Sequence, residues 1–320
     1  MAAKTKFELK MGGATREAFG KTLVQLGREN KDVVVCDADL SKSTMVHWFA
    51  QEFPERFFTC GIAEANMVAI GAGLASAGKI PFVASFSAFV LTKGFEQLRV
   101  TVAYPNVNVK VVGTHSGISI GEDGPSQMSI EDLSLATALP GFTVISPADE
   151  VSMAAFVRLA AAHDGPVFLR AGRAKVPVVY SPDQQFAIGK AIELVEGSDV
   201  TLIAHGLMVA ESIRAAEILE GEGISARVVD MPTIKPLDSD AVAKAARETG
   251  AIVVGEEHLV DGGLGVKVAQ AAAQTHPCVM EFVGVTTYAE SGTPDGLLQK
   301  YGMTAANMAA AARRAVARKK

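Results

Sequence analysis

A single carboxylate, Glu64, interrupts the otherwise mostly apolar stretch GIAEANMVAIG at 61–71. Two physical readings compete there. At a helix N-terminus the carboxylate meets favourable partial positive charge; buried, it loses hydration, its pKa rises and it becomes a proton donor near neutral pH. Phe86 and Phe89 stand three apart just after an apolar run, a spacing that turns both rings to one side of a turn or helix start. They either pack in a core or form a platform for a flat aromatic ligand. The stretch THSGISIGEDGPSQ at 114–127 gathers His115, Glu122, Asp123 and Gln127 in one polar loop, and a loop so rich in titratable groups points to function rather than mere connection. Arg16, Arg170 and Arg173 add guanidinium groups suited to bidentate contact with phosphate, or to surface ion pairs.

These residues need a scaffold, and the hydrophobic pattern supplies one. Runs rich in β-branched residues at 33–36, 81–84, 107–113 and 167–171 read as buried parallel strands. Alanine-rich segments of helical spacing separate them at 16–29, 63–77, 95–103 and 151–162. A polar stretch around Pro182 breaks the pattern. A second series then follows, with strands at 200–205, 226–230, 251–255 and 279–283 and helices at 210–219, 239–249 and 264–274. The expectation is an α/β protein of two consecutive domains, 1–185 and 186–320, each a mainly parallel sheet flanked by helices. The loop 114–127 then lies beyond the carboxyl end of a parallel strand, where open α/β sheets place their ligands.

Two glycine-rich stretches imitate binding motifs. Gly71–Ser76 sits inside a helical pattern, so close helix packing explains it better than a dinucleotide fingerprint, which needs a strand before it. The GGLG at 262–265 does follow a strand and open a helix; it reads as either an anion cradle or a tight turn. No G-x-x-x-x-G-K-[ST] phosphate loop occurs.

Composition excludes other classes. The 320 residues are 49% hydrophobic and 20% charged with a net charge of −5, which gives no reason to expect nucleic-acid binding. The basic tail at 313–320 reads as a solvated helix end. Cys36, Cys60 and Cys278 show no C-x-x-C spacing, and Cys36 reads as a small core residue. No apolar run suits a signal peptide at 1–13 or a membrane span anywhere, so a reduced, cytoplasmic setting is expected.

Taken in order, these segments resemble the transketolase family: ATREAFG at 14–20, DADL at 37–40, IAEANM at 62–67, SFSAF at 85–89, GEDGPSQM at 121–128, FLRAGR at 168–173 and GEEH at 255–258. The likeness covers nearly the whole chain. It implies the last two of the family's three domains, the pyrimidine-binding domain at 1–185 and the C-terminal domain at 186–320. The family's first domain carries a G-D-G motif that holds Mg²⁺ (or Ca²⁺) and the cofactor diphosphate, and no G-D-G is found here. The resemblance therefore implies an N-terminal partner subunit carrying the metal, and an α2β2 assembly, with no metal ligand in this chain.

By the same resemblance, the chain is a transferase subunit that moves a two-carbon ketol unit from a ketose phosphate to an aldose phosphate, using thiamine diphosphate as electron sink. The default pathway is the pentose phosphate pathway. Glu64 would face the aminopyrimidine nitrogen, Phe86 and Phe89 would wall the ring, and Asp39 and Leu40 would line the cofactor pocket. Arg16, Ser43, His115 and Arg173 would surround the sugar phosphate, with His115 also counted as catalytic. Asp123 would contact a sugar hydroxyl. Gln127 stands where many members have His, in the form of the animal-type branch, and Thr92 stands where some members place an aromatic. Rival readings are a 1-deoxyxylulose-5-phosphate-synthase-like chain, a 2-oxo acid dehydrogenase β-like subunit, and a non-catalytic regulatory subunit.

Overall fold

The computed structural model describes residues 7–319, so residues 1–6 of the N-terminal segment 1–13, and Lys320 of the basic tail, lie outside the described residues. In chain order the strands are β1 (Met11–Ala14), β2 (Val33–Asp37), β3 (Phe57–Thr59), β4 (Ile80–Phe86), β5 (Lys110–Thr114), β6 (Thr143–Ile145) and β7 (Val167–Arg170). They continue with β8 (Lys175–Pro177), β9 (Ile192–Val195), β10 (Val200–Ala204), β11 (Ala226–Asp230), β12 (Thr233–Lys235), β13 (Ala251–Leu259) and β14 (Val279–Val285). Two mainly parallel sheets result, as expected. The first has the order β12-β6-β7-β5-β4-β2-β3 and the second β14-β13-β10-β11-β9, while β1 and β8 pair as a separate antiparallel ribbon. Only the edge strands β12 and β9 run antiparallel to their neighbours in the two sheets. Strands β2 and β10 are buried at every residue, which is why they read as continuous apolar runs rather than alternating ones.

Each strand and helix expected from the sequence has a counterpart within a few residues. The segment expected as one helix over 95–103 differs. It begins as an α-turn at Phe95–Gln97 and continues as a π-helix over Leu98–Ala103; the adjacent β-branched Val100, Thr101 and Val102 fit poorly on a tight α-turn. Of the strands of three or four residues, β7 was expected, whereas β1, β3, β6, β8, β9 and β12 were not. The seventh strand of the first sheet, β12, comes from beyond residue 186 and pairs with β6. One continuous core accordingly joins Val83, Leu133 and Val144 to Ile203, Ile234, Val254 and Leu264.

The motif-like glycine stretches resolve. Gly71 lies within the helix Glu64–Ser76 and packs against Val83 of β4, the close approach inferred from the sequence. At 262–265 the cradle is real but already filled. The N–H groups of Leu264 and Gly265, at the start of the helix Leu264–Thr275, donate at 2.7 and 2.8 Å to the two carboxylate oxygens of Glu256. The basic tail is the helix Ala305–Arg318, whose Arg313 pairs with Glu222 and whose Arg314 and Arg318 pair with Glu281. Among the described residues no helix is long and apolar enough to cross a membrane.

The first sheet also sets where a ligand can sit. The chain passes from β2 outward to β3, then crosses to β4 on the other side of β2, so the carboxyl ends of β2 and β4 flank a topological switch point. Helix Thr15–Glu29, which carries Arg16 in its first turn, reaches this edge by crossing close over Met45. Gly20 permits the crossing: a Cβ there would lie 2.7 Å from both the Cβ and the backbone oxygen of Met45. Gly20→Ala should therefore destabilise the chain, because an overpacking cost of about 1–3 kcal/mol exceeds the gain of about 1 kcal/mol in helix propensity. Thermal unfolding measures it: a lowered Tm is expected, and a raised Tm would contradict the close crossing.

Candidate active site

Glu64 meets both descriptions that the sequence left open. It is the first residue of helix Glu64–Ser76, and it is only 2% exposed. Its Oε2 lies 3.7 Å from Lys93 Nζ, while its Oε1 is buried with no hydrogen-bond partner. Leaving a buried polar atom unpaired costs about 1–3 kcal/mol. Such an orphaned acceptor is what a hydrogen-bonding ligand would satisfy.

The aromatic pair lies next to it. β4 ends at Phe86, and the helix Ser87–Lys93 starts immediately, so the three-residue spacing brings Phe89 alongside. The rings are stacked, centroids 5.4 Å apart and planes 15° from parallel. Lys93, four residues on, sets its Nζ 4.6 Å from the Phe89 centroid. On the other side the His115 imidazole stacks on Phe86 at 3.8 Å and 23°. Contacts thus run without a break from Glu64 through Lys93, Phe89 and Phe86 to His115.

His115 follows β5 with a left-handed φ of 57°, unusual for a residue other than glycine, and it is 2% exposed. Its Nε2 lies 3.0 Å from Arg16 Nη1, and its Nδ1 lies 2.9 Å from Thr114 Oγ1. A guanidinium can only donate, so Nε2 accepts and the ring proton sits on Nδ1. Burial, followed by the charges of Arg16 and Arg173, lowers the His115 pKa to about 3. The ring is neutral and contributes hydrogen bonds rather than charge. Arg16 itself is lowered by burial and then by Arg173, and its Nε is buried without a partner.

The remaining expected residues gather to different degrees. Ser43 meets Arg16 through its backbone carbonyl, 2.8 Å from Nη1, rather than through its hydroxyl. Arg173 donates to the Ile120 carbonyl and lies 3.2 Å from Glu122 and 4.0 Å from Asp123. Gln127 accepts from the Ser126 hydroxyl at 2.5 Å. Leu40 packs with the cluster that contains Phe86 and Phe89. Asp39 takes a left-handed φ of 65° at the carboxyl end of β2. There the Leu40 N–H donates to Asp37 at 3.2 Å, and burial pushes the Asp37 carboxyl up to about 6.

Arg170 departs from its expected use. It is 5% exposed and donates to Asp132 Oδ2 at 2.8 Å, to the Glu257 carbonyl at 2.9 Å and to the Ser129 carbonyl at 3.3 Å, so it is committed inside the protein rather than offered to a phosphate. Sequence reasoning missed Lys93, although its spacing of four from Phe89 within a helical segment was a usable signal. Asp132 was also missed, because its partners come from distant elements.

The imidazole yields a test with a definite sign. The folded state keeps His115 neutral down to about pH 3, while an unfolded chain takes up the proton near 6.5, so this group withdraws stability as pH falls from about 6.5 toward 3. The His115 ring resonances should stay flat between pH 5 and 8 in an NMR titration. A midpoint near 6.5 would contradict the buried, arginine-facing ring.

Comparison with known proteins identifies the family. Residues 12–178 match the family described as transketolase, pyrimidine binding domain, and residues 189–308 match transketolase, C-terminal domain. A putative transketolase C-terminal section from Methanocaldococcus jannaschii is 42% identical over 92% of this chain and 93% of its own length. The 6-deoxy-6-sulfo-D-fructose transketolase subunit SqwH of Clostridium sp. is 40% identical over 95% of each. A solved structure described as split gene transketolase, inactive beta4 tetramer, is similar with a TM-score of 0.91 and 48% identity, covering 97% of this chain and 100% of that one. The chain belongs to the transketolase family, of which it carries the pyrimidine-binding and C-terminal domains in that order.

Proposed function

We propose that this chain is the C-terminal subunit of a split transketolase that transfers a two-carbon ketol unit from a ketose phosphate to an aldose phosphate. The observation that carries this reading is the orphaned Glu64 Oε1, buried beside a stacked pair of phenylalanines and linked by unbroken contacts to the Arg16–His115 pair. A flat, hydrogen-bonding heteroaromatic fits both the wall and the free oxygen, as the aminopyrimidine of thiamine diphosphate would. When bound, that cofactor supplies the electron sink for the migrating two-carbon unit.

The chain's own residues do the rest. Glu64 Oε1 would share a hydrogen bond with the pyrimidine ring and so orient it. Phe86 and Phe89 fix the ring plane and exclude water from one face, with Leu40 and Asp39 along the switch-point edge. Arg16 and Arg173 bind the sugar phosphate as charges, and neutral His115, an acceptor at Nε2, orients the sugar through one of its hydroxyl groups. A phosphate oxygen that takes over Arg16 Nη1 frees His115 Nε2 to meet the substrate. Asp123, on the same loop, takes a sugar hydroxyl, and Gln127 stands toward the reacting carbons.

A separate N-terminal subunit would hold the cofactor diphosphate and Mg²⁺, in an α2β2 assembly that works on sugar phosphates in the cytoplasm. Two of the relatives, matched over nearly their full length, are themselves described as a C-terminal section and as a subunit, which supports a divided enzyme. The likeness to a tetramer described as inactive supports a chain that needs a partner to act. The division into domains at 1–185 and 186–320 is part of the same reading.

Reconstitution tests it. The chain with its N-terminal subunit, Mg²⁺ and thiamine diphosphate should transfer ketol units between sugar phosphates, and the chain without the subunit should not. In that assembly Glu64→Gln should keep the complex intact on size exclusion and lower kcat by about 100-fold or more. Transfer by the chain without a partner, or near-normal turnover of the Gln variant, would overturn the reading.

A further inference from the structure

None of the roles above falls on the C-terminal half, yet its strand β13 reaches into the first half. The Leu259 N–H donates to the Ile130 carbonyl at 2.9 Å. Two residues earlier the Glu257 carboxylate, 4% exposed, accepts from the Ser119 N–H at 2.6 Å. Gly117 lies against that carboxylate with φ +78°, and a Cβ there would stand only 2.2 and 2.5 Å from its two oxygens. Arg170 joins the Glu257 carbonyl to the Ser129 carbonyl, and the Gly117 N–H donates to that same Ser129 carbonyl at 2.7 Å. Both ends of the segment 116–129 are therefore fastened to β13. This segment begins beside His115 and carries the Ile120 carbonyl, Glu122 and Asp123 that surround Arg173.

We propose that Glu257 is a positioning residue for the phosphate-binding end of the site. By holding the Ser119 amide it fixes the left-handed turns at His115 and Gly117, and so sets the spacing of His115, Arg16 and Arg173. The inference rests on the reading of these three as the phosphate site and deepens it: the C-terminal half sets the fit of the substrate phosphate without touching it. Burial pushes the Glu257 carboxyl above its usual range, against the opposing pull of Arg170 and the Ser119 amide. Either protonation state leaves an oxygen facing that amide.

Glu257→Ala and Glu257→Gln separate positioning from bulk packing. In the reconstituted enzyme, Glu257→Ala should raise KM for a phosphorylated ketose roughly tenfold or more while kcat stays within about threefold. Thiamine diphosphate affinity should not change. Glu257→Gln, whose amide oxygen accepts the same bond, should restore KM. Hydrogen exchange on the chain itself supplies a readout without turnover: amides 116–120 should exchange faster in Glu257→Ala and normally in Glu257→Gln. Should alanine prevent folding, Glu257→Asp, which withdraws the carboxylate by one methylene, must show both changes in weaker form. An inactive wild-type assembly would refute the transketolase reading and leave the exchange result to decide this one. Unchanged exchange in 116–120, or an unchanged KM in an active assembly, overturns the proposal.

Discussion

The charge pair between Arg170 and Asp132 holds the site together. Both side chains are buried, the nitrogen and oxygen are 2.8 Å apart, and each partner carries further bonds. Ser87, the first residue of the helix that presents Phe89, donates to the same Asp132 oxygen at 2.8 Å. His258 Nε2 stands 3.7 Å from the other carboxylate oxygen, and Arg170 fastens Ser129 and Glu257. One guanidinium and one carboxylate thus connect the aromatic wall, the polar loop and the second half of the chain. Burial pushes the Asp132 carboxyl up, but Arg170 and His258 pull it further down, so it stays ionised. Removing one member of such a pair costs about 3–5 kcal/mol, since it strands the other charge, and that is a large share of a typical total of about 5–15 kcal/mol.

Around this anchor the polar groups divide into satisfied and unsatisfied ones. Glu256 has both oxygens held by the helix N-terminus at 264–265, and Glu257 is held by Ser119. Glu64 Oε1 and Arg16 Nε are buried without partners, at opposite ends of the line of stacked rings. Among the described residues, two of the four left-handed residues other than glycine, Asp39 and His115, stand at the carboxyl ends of β2 and β5 in the same region. Each such conformation costs about 1–3 kcal/mol and is kept only where the surroundings enforce it. Asp39, His115, Glu64 and Arg16 thus bring strain and unmet hydrogen bonds to the place where a ligand would be received, although Ser85 Oγ, Ser119 Oγ, His205 Nε2, Asp230 Oδ1 and two nitrogens of Arg227 are also buried without hydrogen-bond partners.

Much of this was legible in the sequence because it is local. The apolar runs of β2 and β10 announce strands buried on both faces, and the spacing of Phe86 and Phe89 fixes their shared side. Glu64 showed why a single position resists a single reading: being at a helix start and being buried are compatible, and both hold. What could not be read depends on distant partners. Strand β12 is three residues long and gains its place only by pairing with β6, about 90 residues earlier in the chain. Arg170 offered a guanidinium at the end of a strand, suited to phosphate or to a surface ion pair, but a strand alternates its faces and β7 turns Arg170 inward to Asp132. The Gly117–Glu257 contact spans 140 positions, and only the folded chain brings it together.

The central proposal is that this chain supplies the pyrimidine half of a cofactor site and that a separate subunit supplies the half that binds diphosphate and metal. Calorimetric titration of thiamine diphosphate with Mg²⁺, into the chain with and without its N-terminal subunit, tests that claim most directly. The account predicts saturable binding only in the mixed assembly, abolished when the metal is chelated. Equally tight, metal-dependent binding by the chain without its partner would contradict it.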